Sequence, residues 1–185
     1  MLYGLFSLRS ALLRGTLLCL AIAGCGSSDS LTPQQQDIAQ LKQAIQPLQD
    51  LEAAQHAGYS VIVADPGDGH TCLSDPTQGA MGVHYLKAAL VDDTAIVTEP
   101  EALIYEPQQD GSVKFVGVEY VIPYSIHGEN EAPPTLFGQP FMKNATFQLW
   151  GLHVWVGRHN PSGEFAMWNP DVTCEFAQAQ AQASR

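Results

Sequence analysis

Positive charge is scarce in this chain: eight lysines and arginines stand against nineteen aspartates and glutamates, a formal net charge of -11. Such a balance repels nucleic acid and anionic lipid headgroups and modestly concentrates cations, so no nucleic-acid partner is expected. Cysteine is sparse too, with four residues and no CxxC pair, which disfavours a dithiol redox site. There is no HExxH, no HxH, no cupin-type histidine cluster and no internal repeat. A nucleophilic serine is also missing: Gly79-Ala80-Met81-Gly82 holds none, and Ser162 lies in an Asn-Pro-Ser-Gly turn without a strand-to-helix elbow.

What is present begins with a targeting segment. Arg9 and Arg14 precede an apolar run, Leu17 to Ala23, that is too short to span a bilayer, and Ile22-Ala23-Gly24-Cys25 is a small-residue cleavage site ending in cysteine. This tetrapeptide resembles the lipobox of bacterial lipoproteins. The resemblance implies removal of residues 1–24 and acylation of Cys25, and two or three acyl chains anchor a protein where one does not. Gly26 replaces the aspartate that in that family signals inner-membrane retention, so the expected location is the cell envelope, at the outer membrane facing the periplasm. Cleavage would leave six basic against nineteen acidic residues, a formal charge of -13.

About 160 residues would remain, enough for one domain with a real core. Residues 25–31 read as the lipidated cysteine and a tether, 32–176 as the domain, and 177–185, with no periodic apolar face, as a disordered tail. Cys72 and Cys174 are then one even pair in an oxidising compartment, and a disulfide is the natural reading; two metal-binding or redox thiols are the alternative.

Thr32-Pro33-Gln34-Gln35 combines an N-cap, proline at the first helical position and a capping-box glutamine; Ile38, Leu41, Ile45 and Leu48 then recur at helical spacing. Pro47 should kink or restart this helix, and Gly58 should cap it. The clearest hairpin joins Leu103–Glu106 to Val113–Ile122 through a turn containing Asp110-Gly111. Alternation puts Val113, Phe115, Gly117, Glu119 and Val121 on one face of its second strand. Residues 123–142 form a long loop that either lids a pocket or tucks Leu136, Phe137 and Phe141 under the sheet. Phe147–His159 reads as a central strand covered on both faces, with Leu149, Gly151, His153, Trp155 and His159 on one side. The expected fold is α+β: an N-terminal helical segment packed on an antiparallel sheet of about five or six strands, with room for the sheet to curl toward a half-barrel.

His84, Glu119 and His153 each fall on an inward face of a strand, and a buried imidazole needs an acceptor, a carboxylate or a metal. Two imidazoles and a carboxylate are a recurrent ligand set for one divalent transition metal, and His159 is a candidate fourth ligand. Against this stands a plain polar cluster in which Glu119 pairs with the histidines. Asp65, Asp68 and His70 read as a solvated turn, and Met81, Met142 and Met167 are too scattered to suggest copper. Glu106 and Glu119 could pair for glycoside hydrolysis, but Glu106 has the wrong parity. Trp155, Trp168 and Tyr85 are the aromatic candidates for contact with a bound ligand.

The stretches GAMGVHY, PEALIYEP, GVEYVIP, PPTLFGQPF and HVWVGRHNPSGEFAMWNP, within roughly Ala53–Cys174, resemble a family of small exported bacterial proteins with no assigned activity, so the resemblance implies no catalytic residue. The leading expectation is a lipid-anchored envelope protein that holds a small ligand or metal in a pocket lined by histidine, glutamate and aromatics. Its rivals are a metal-assisted or acid-base hydrolase or lyase using the same residues, and an accessory lipoprotein docking on an envelope partner through the 123–142 loop.

Overall fold

Thr32 starts the fold in the way its neighbours dictate. In the computed structural model, which describes residues 30–177, its hydroxyl accepts the Gln35 amide at 3.2 Å while the Gln35 side chain accepts the Thr32 amide at 2.9 Å. This closed capping box opens α1, Pro33–Ile45, which buries Ile38, Leu41 and Ile45. Pro47 ends that helix in a single 3-10 turn, and α2, Leu51–His56, restarts under the Asp50 cap. Gly58 follows with φ +100, the left-handed backbone that terminates a helix at lowest cost. The proposed signal peptide, Cys25 and the tail from 178 lie outside the described residues. No helix among those described is long and apolar enough to cross a membrane.

Nine strands follow: β1 Val61–Ile62, β2 Cys72–Asp75, β3 Gly79–Leu86, β4 Ala102–Pro107, β5 Val113–Pro123, β6 Thr135–Leu136, β7 Gln139–Pro140, β8 Met142–Asn144 and β9 Leu149–Val154. Seven form one antiparallel sheet in the order β1-β3-β4-β5-β9-β8, with β2 also paired to β3, and β6 and β7 form a separate two-stranded ribbon. The fold is thus α+β as expected, with an open sheet that does not close into a barrel.

The two faces differ. One lies under the helices, where Leu41, Ile45 and Ala54 pack with Val83, Tyr85, Leu103, Tyr105, Val118 and Tyr120 in the main core. The other carries a small cluster of Ala80, Ile104, Val116, Trp155 and Val172, and beside it the ionisable residues. The chain from Trp155 onward packs on this second face through Trp155, Val172 and the Ala80–Asn169 bridge, and the Cys72–Cys174 disulfide ties it to the main core. The expected pairing of these cysteines is therefore present.

Three expectations need correction. The strand expected over Phe147–His159 begins at Leu149 and ends at Val154, because Gln148 has φ +56 and Trp155 turns to donate its amide to Glu164. It is also next to last in the sheet, since only the three-residue β8 lies beyond it; the longest strand, β5, lies further in, between β4 and β9. Within β5 the register passes from Ile104↔Gly117 to Tyr105↔Phe115, so Val116 is an extra, bulged residue. Val113 and Phe115 therefore join the helix-side core, opposite Glu119, rather than sharing its face. In the 123–142 segment Phe137 and Phe141 are buried in that core, and Gln34 donates to the Phe137 carbonyl at 2.7 Å, so the loop tucks under rather than forming a lid.

Candidate metal centre

Strand pairing brings the three ionisable residues together. Glu119 in β5 stands opposite Ala102 in β4 on one side and opposite His153 in β9 on the other. His84 in β3 pairs with Ile104. The small Ala102, opposite Glu119 in the intervening strand, lines the same cavity as His84 and Glu119. Gly151, two residues before His153 in β9, matters equally: a Cβ there would meet Glu119 Oε1 at 2.7 Å. A missing side chain thus leaves the space that the carboxylate occupies.

His84 Nε2 lies 3.3 Å from His153 Nε2 and 3.4 Å from Glu119 Oε2, and His153 Nδ1 lies 3.7 Å from Glu119 Oε1. A tetrahedral centre with metal–ligand bonds of about 2.0–2.1 Å has ligand–ligand edges of about 3.3 Å. The first two separations match that edge, and one donor atom from each residue lies within 4.8 Å of the others. The group could therefore hold a metal ion.

The protonation states of the two histidines agree with that use. Burial pushes the His84 imidazole down to about 4, opposed weakly by the nearby Gly82 backbone, and pushes His153 well below its ordinary value, with the His84 charge adding to the effect. Both rings are neutral near pH 7 and so keep a lone pair for a ligand. Burial also raises the Glu119 carboxyl to about 8, helped by the Glu101 charge. Hydrogen bonding does little to offset this burial. Nδ1 of each histidine is buried without a hydrogen-bond partner, and the histidines are the contacts of the Glu119 carboxyl. Unpartnered buried polar atoms cost about 1–3 kcal/mol each. A cation held by the two Nε2 atoms and Glu119 would favour the ionised carboxylate that burial disfavours.

Beside the triad lies a cavity of about 210 Å³ that takes in His84, Glu119, Asn144 and Ala102 and is otherwise walled by apolar side chains such as Leu86, Val121 and Leu149. The expected pocket with histidine and glutamate in its lining is present, but loop residues Val63, Val91 and Phe147 complete it and its walls are mostly aliphatic rather than aromatic. The small residues Ala102 and Gly151, inside otherwise bulky strands, were the signal that something must fit above them.

The other candidates are dispersed. Trp155 stacks on His153, with ring centroids 6.0 Å apart and planes 15° apart, and its indole donates to the Ala166 carbonyl at 2.7 Å. Trp168 borders an outer cavity of about 340 Å³ together with Asp65, Asp68, His70 and Lys143. Tyr85 is not brought to the site: it packs edge-on to Tyr105 in the helix-side core. His159 is exposed in its turn. Asp65 and Asp68 accept the amides of Gly67 and His70 at 2.7 and 2.9 Å, as a solvated turn requires. Glu106 is buried, but it is held by Arg158 Nη1 at 2.9 Å and the Thr173 amide at 3.0 Å, not by Glu119. A third buried acid, Glu101, escaped notice; it accepts the Val121 amide at 3.1 Å, and burial lifts it to about 8.

No protein-family model, curated protein or solved structure matches the chain.

Proposed function

We propose that this protein is a lipid-anchored component of the cell envelope that binds one divalent transition metal through His84, Glu119 and His153. The observation that carries the reading is the convergence of three donors from three strands, sparsely hydrogen-bonded, beside an apolar cavity. Two neutral imidazoles and one carboxylate suit zinc, iron or manganese. When bound, such an ion supplies Lewis acidity. Trp155 keeps the His153 ring in place by stacking, and Gly151 leaves the carboxylate its space. Because the cavity borders two of the three ligands, a metal-assisted hydrolase or lyase is the second reading.

Anchoring rests on the lipobox-like Ile22–Cys25 and the small residue that follows it. Acylation of Cys25 would tether the domain to the outer membrane facing the periplasm. Metal analysis of untagged protein tests the central claim. One equivalent of metal is expected in the wild type, and none in His84→Ala or His153→Ala. A wild type without stoichiometric metal, or variants with unchanged content, would refute it. Loss of membrane association in Cys25→Ser is the expected outcome for the anchor, and unchanged association would count against it.

A further inference from the structure

The cavity beside the triad is selective in its own right. A protein cavity of about 150 Å³ lined by aliphatic and aromatic side chains can take up benzene. The space here, about 210 Å³, holds a six-membered ring with a short substituent. Its walls are Val63, Leu86, Val91, Val121, Phe147 and Leu149, and the polar groups that reach it are His84, Glu119 and Asn144. No lysine or arginine lines it, so a bound organic anion would meet no protein cation there.

The approach reinforces the point. The outer cavity shares Leu73, Met81, Asn144 and Phe147 with the inner one, and its rim carries Asp65 and Asp68. Lys143, the cation of that rim, is engaged: its ammonium lies 3.7 Å from Glu129 and 5.5 Å from the Trp150 ring centroid. An anion passing the rim would meet acids before it met the ammonium. Desolvating its charge in an apolar chamber would cost far more than desolvating a hydroxyl or carbonyl.

We infer that the cavity binds a small, uncharged, largely apolar molecule with one oxygen function, ring or chain against the aliphatic walls and oxygen toward Glu119 and His84. This deepens the proposed metal reading by naming the ligand class. It rests on that reading only for what the oxygen meets, not for the cavity.

Benzyl alcohol and benzoate share a ring and differ in charge, which makes them the probes. Binding is followed by ligand-observed NMR on metal-loaded and on chelator-treated protein, in parallel with metal analysis. On the chelator-treated protein, where no metal charge offsets the lack of a protein cation, benzyl alcohol should bind at least tenfold more tightly than benzoate. Val91→Trp puts a large side chain into the cavity from a half-buried position and replaces no triad residue; it should weaken benzyl alcohol at least tenfold while metal content stays unchanged. Equal or tighter binding of benzoate by the chelator-treated protein, no binding of benzyl alcohol, or full binding by Val91→Trp would each overturn the inference. Binding of benzyl alcohol by a protein that takes up no metal would leave the cavity inference standing and remove the metal reading. Stoichiometric metal without benzyl alcohol binding would do the reverse.

Discussion

Replacing Glu119 with glutamine should change how the metal-free fold responds to pH. Burial raises this carboxyl from 4.5 to about 8, so the fold keeps it protonated at pH values where the unfolded chain ionises it. Its penalty is absent below 4.5, grows as the pH rises and is complete above 8. At about 1.4 kcal/mol per pH unit it amounts to at most about 5 kcal/mol. Glu101, also raised to about 8 by burial, titrates in parallel. His84 works the other way: its folded value falls from 6.5 to about 4, so its contribution is intact above 6.5 and is lost as the pH drops toward 4. Between 6.5 and 8 the two carboxyls dominate. Wild-type stability should then fall by about 3 kcal/mol per pH unit at the steepest, and that of Glu119→Gln by about half as much. Urea unfolding in the presence of a chelator, with the disulfide intact, reads this directly at the two ends of that window. Identical slopes for the two proteins, or a wild type that gains stability over the window, would refute the account of the site.

Three further outcomes follow from the packing. Gly151→Ala puts a methyl group 2.7 Å from Glu119 Oε1; it should weaken metal binding on the order of 10- to 100-fold in a metal titration, with the fold retained. Cys72→Ser opens a link spanning 102 residues and should cost about 3–5 kcal/mol in denaturant unfolding. Arg158→Ala removes the cation from buried Glu106 and should cost about 1–3 kcal/mol, a range that allows for the partial exposure of the guanidinium.

The parts of this structure that local chemistry dictates were legible in the sequence. The Thr32–Gln35 capping box, the break at Pro47 and the Asp110-Gly111 hairpin depend on residues within a few positions of one another, and all are present. The triad was legible because His84, Glu119 and His153 are ionisable residues in apolar strands, where period-2 alternation forces each to a face. Which strands are neighbours is a long-range matter, and no residue between Phe147 and Pro170 announces that only β8 lies beyond β9. The Val116 bulge was equally hidden, since nothing in Val113–Val118 marks an extra residue; only pairing with β4 does. Tyr85 is different: it adjoins His84 in one strand, and alternation alone sends it to the opposite face. A pocket at the histidines and glutamate was expected, but its aliphatic walls were hidden because its closing residues come from segments far apart in the chain, at Val63, Val91 and Phe147.

The bulge at Val116 also makes the protein convenient to modify. Residues Gln109 and Asp110 at the hairpin tip are exposed, and the irregularity lies between that tip and Gly117. Exposed tips of this kind tolerate inserted sequence. A peptide epitope or a dye-labelling tag spliced after Gln109 would strain the outer part of the hairpin, and the bulge would absorb the mismatch before it reached Glu119. A reporter could thus be carried by a strand of the candidate centre without disturbing the geometry it reports on.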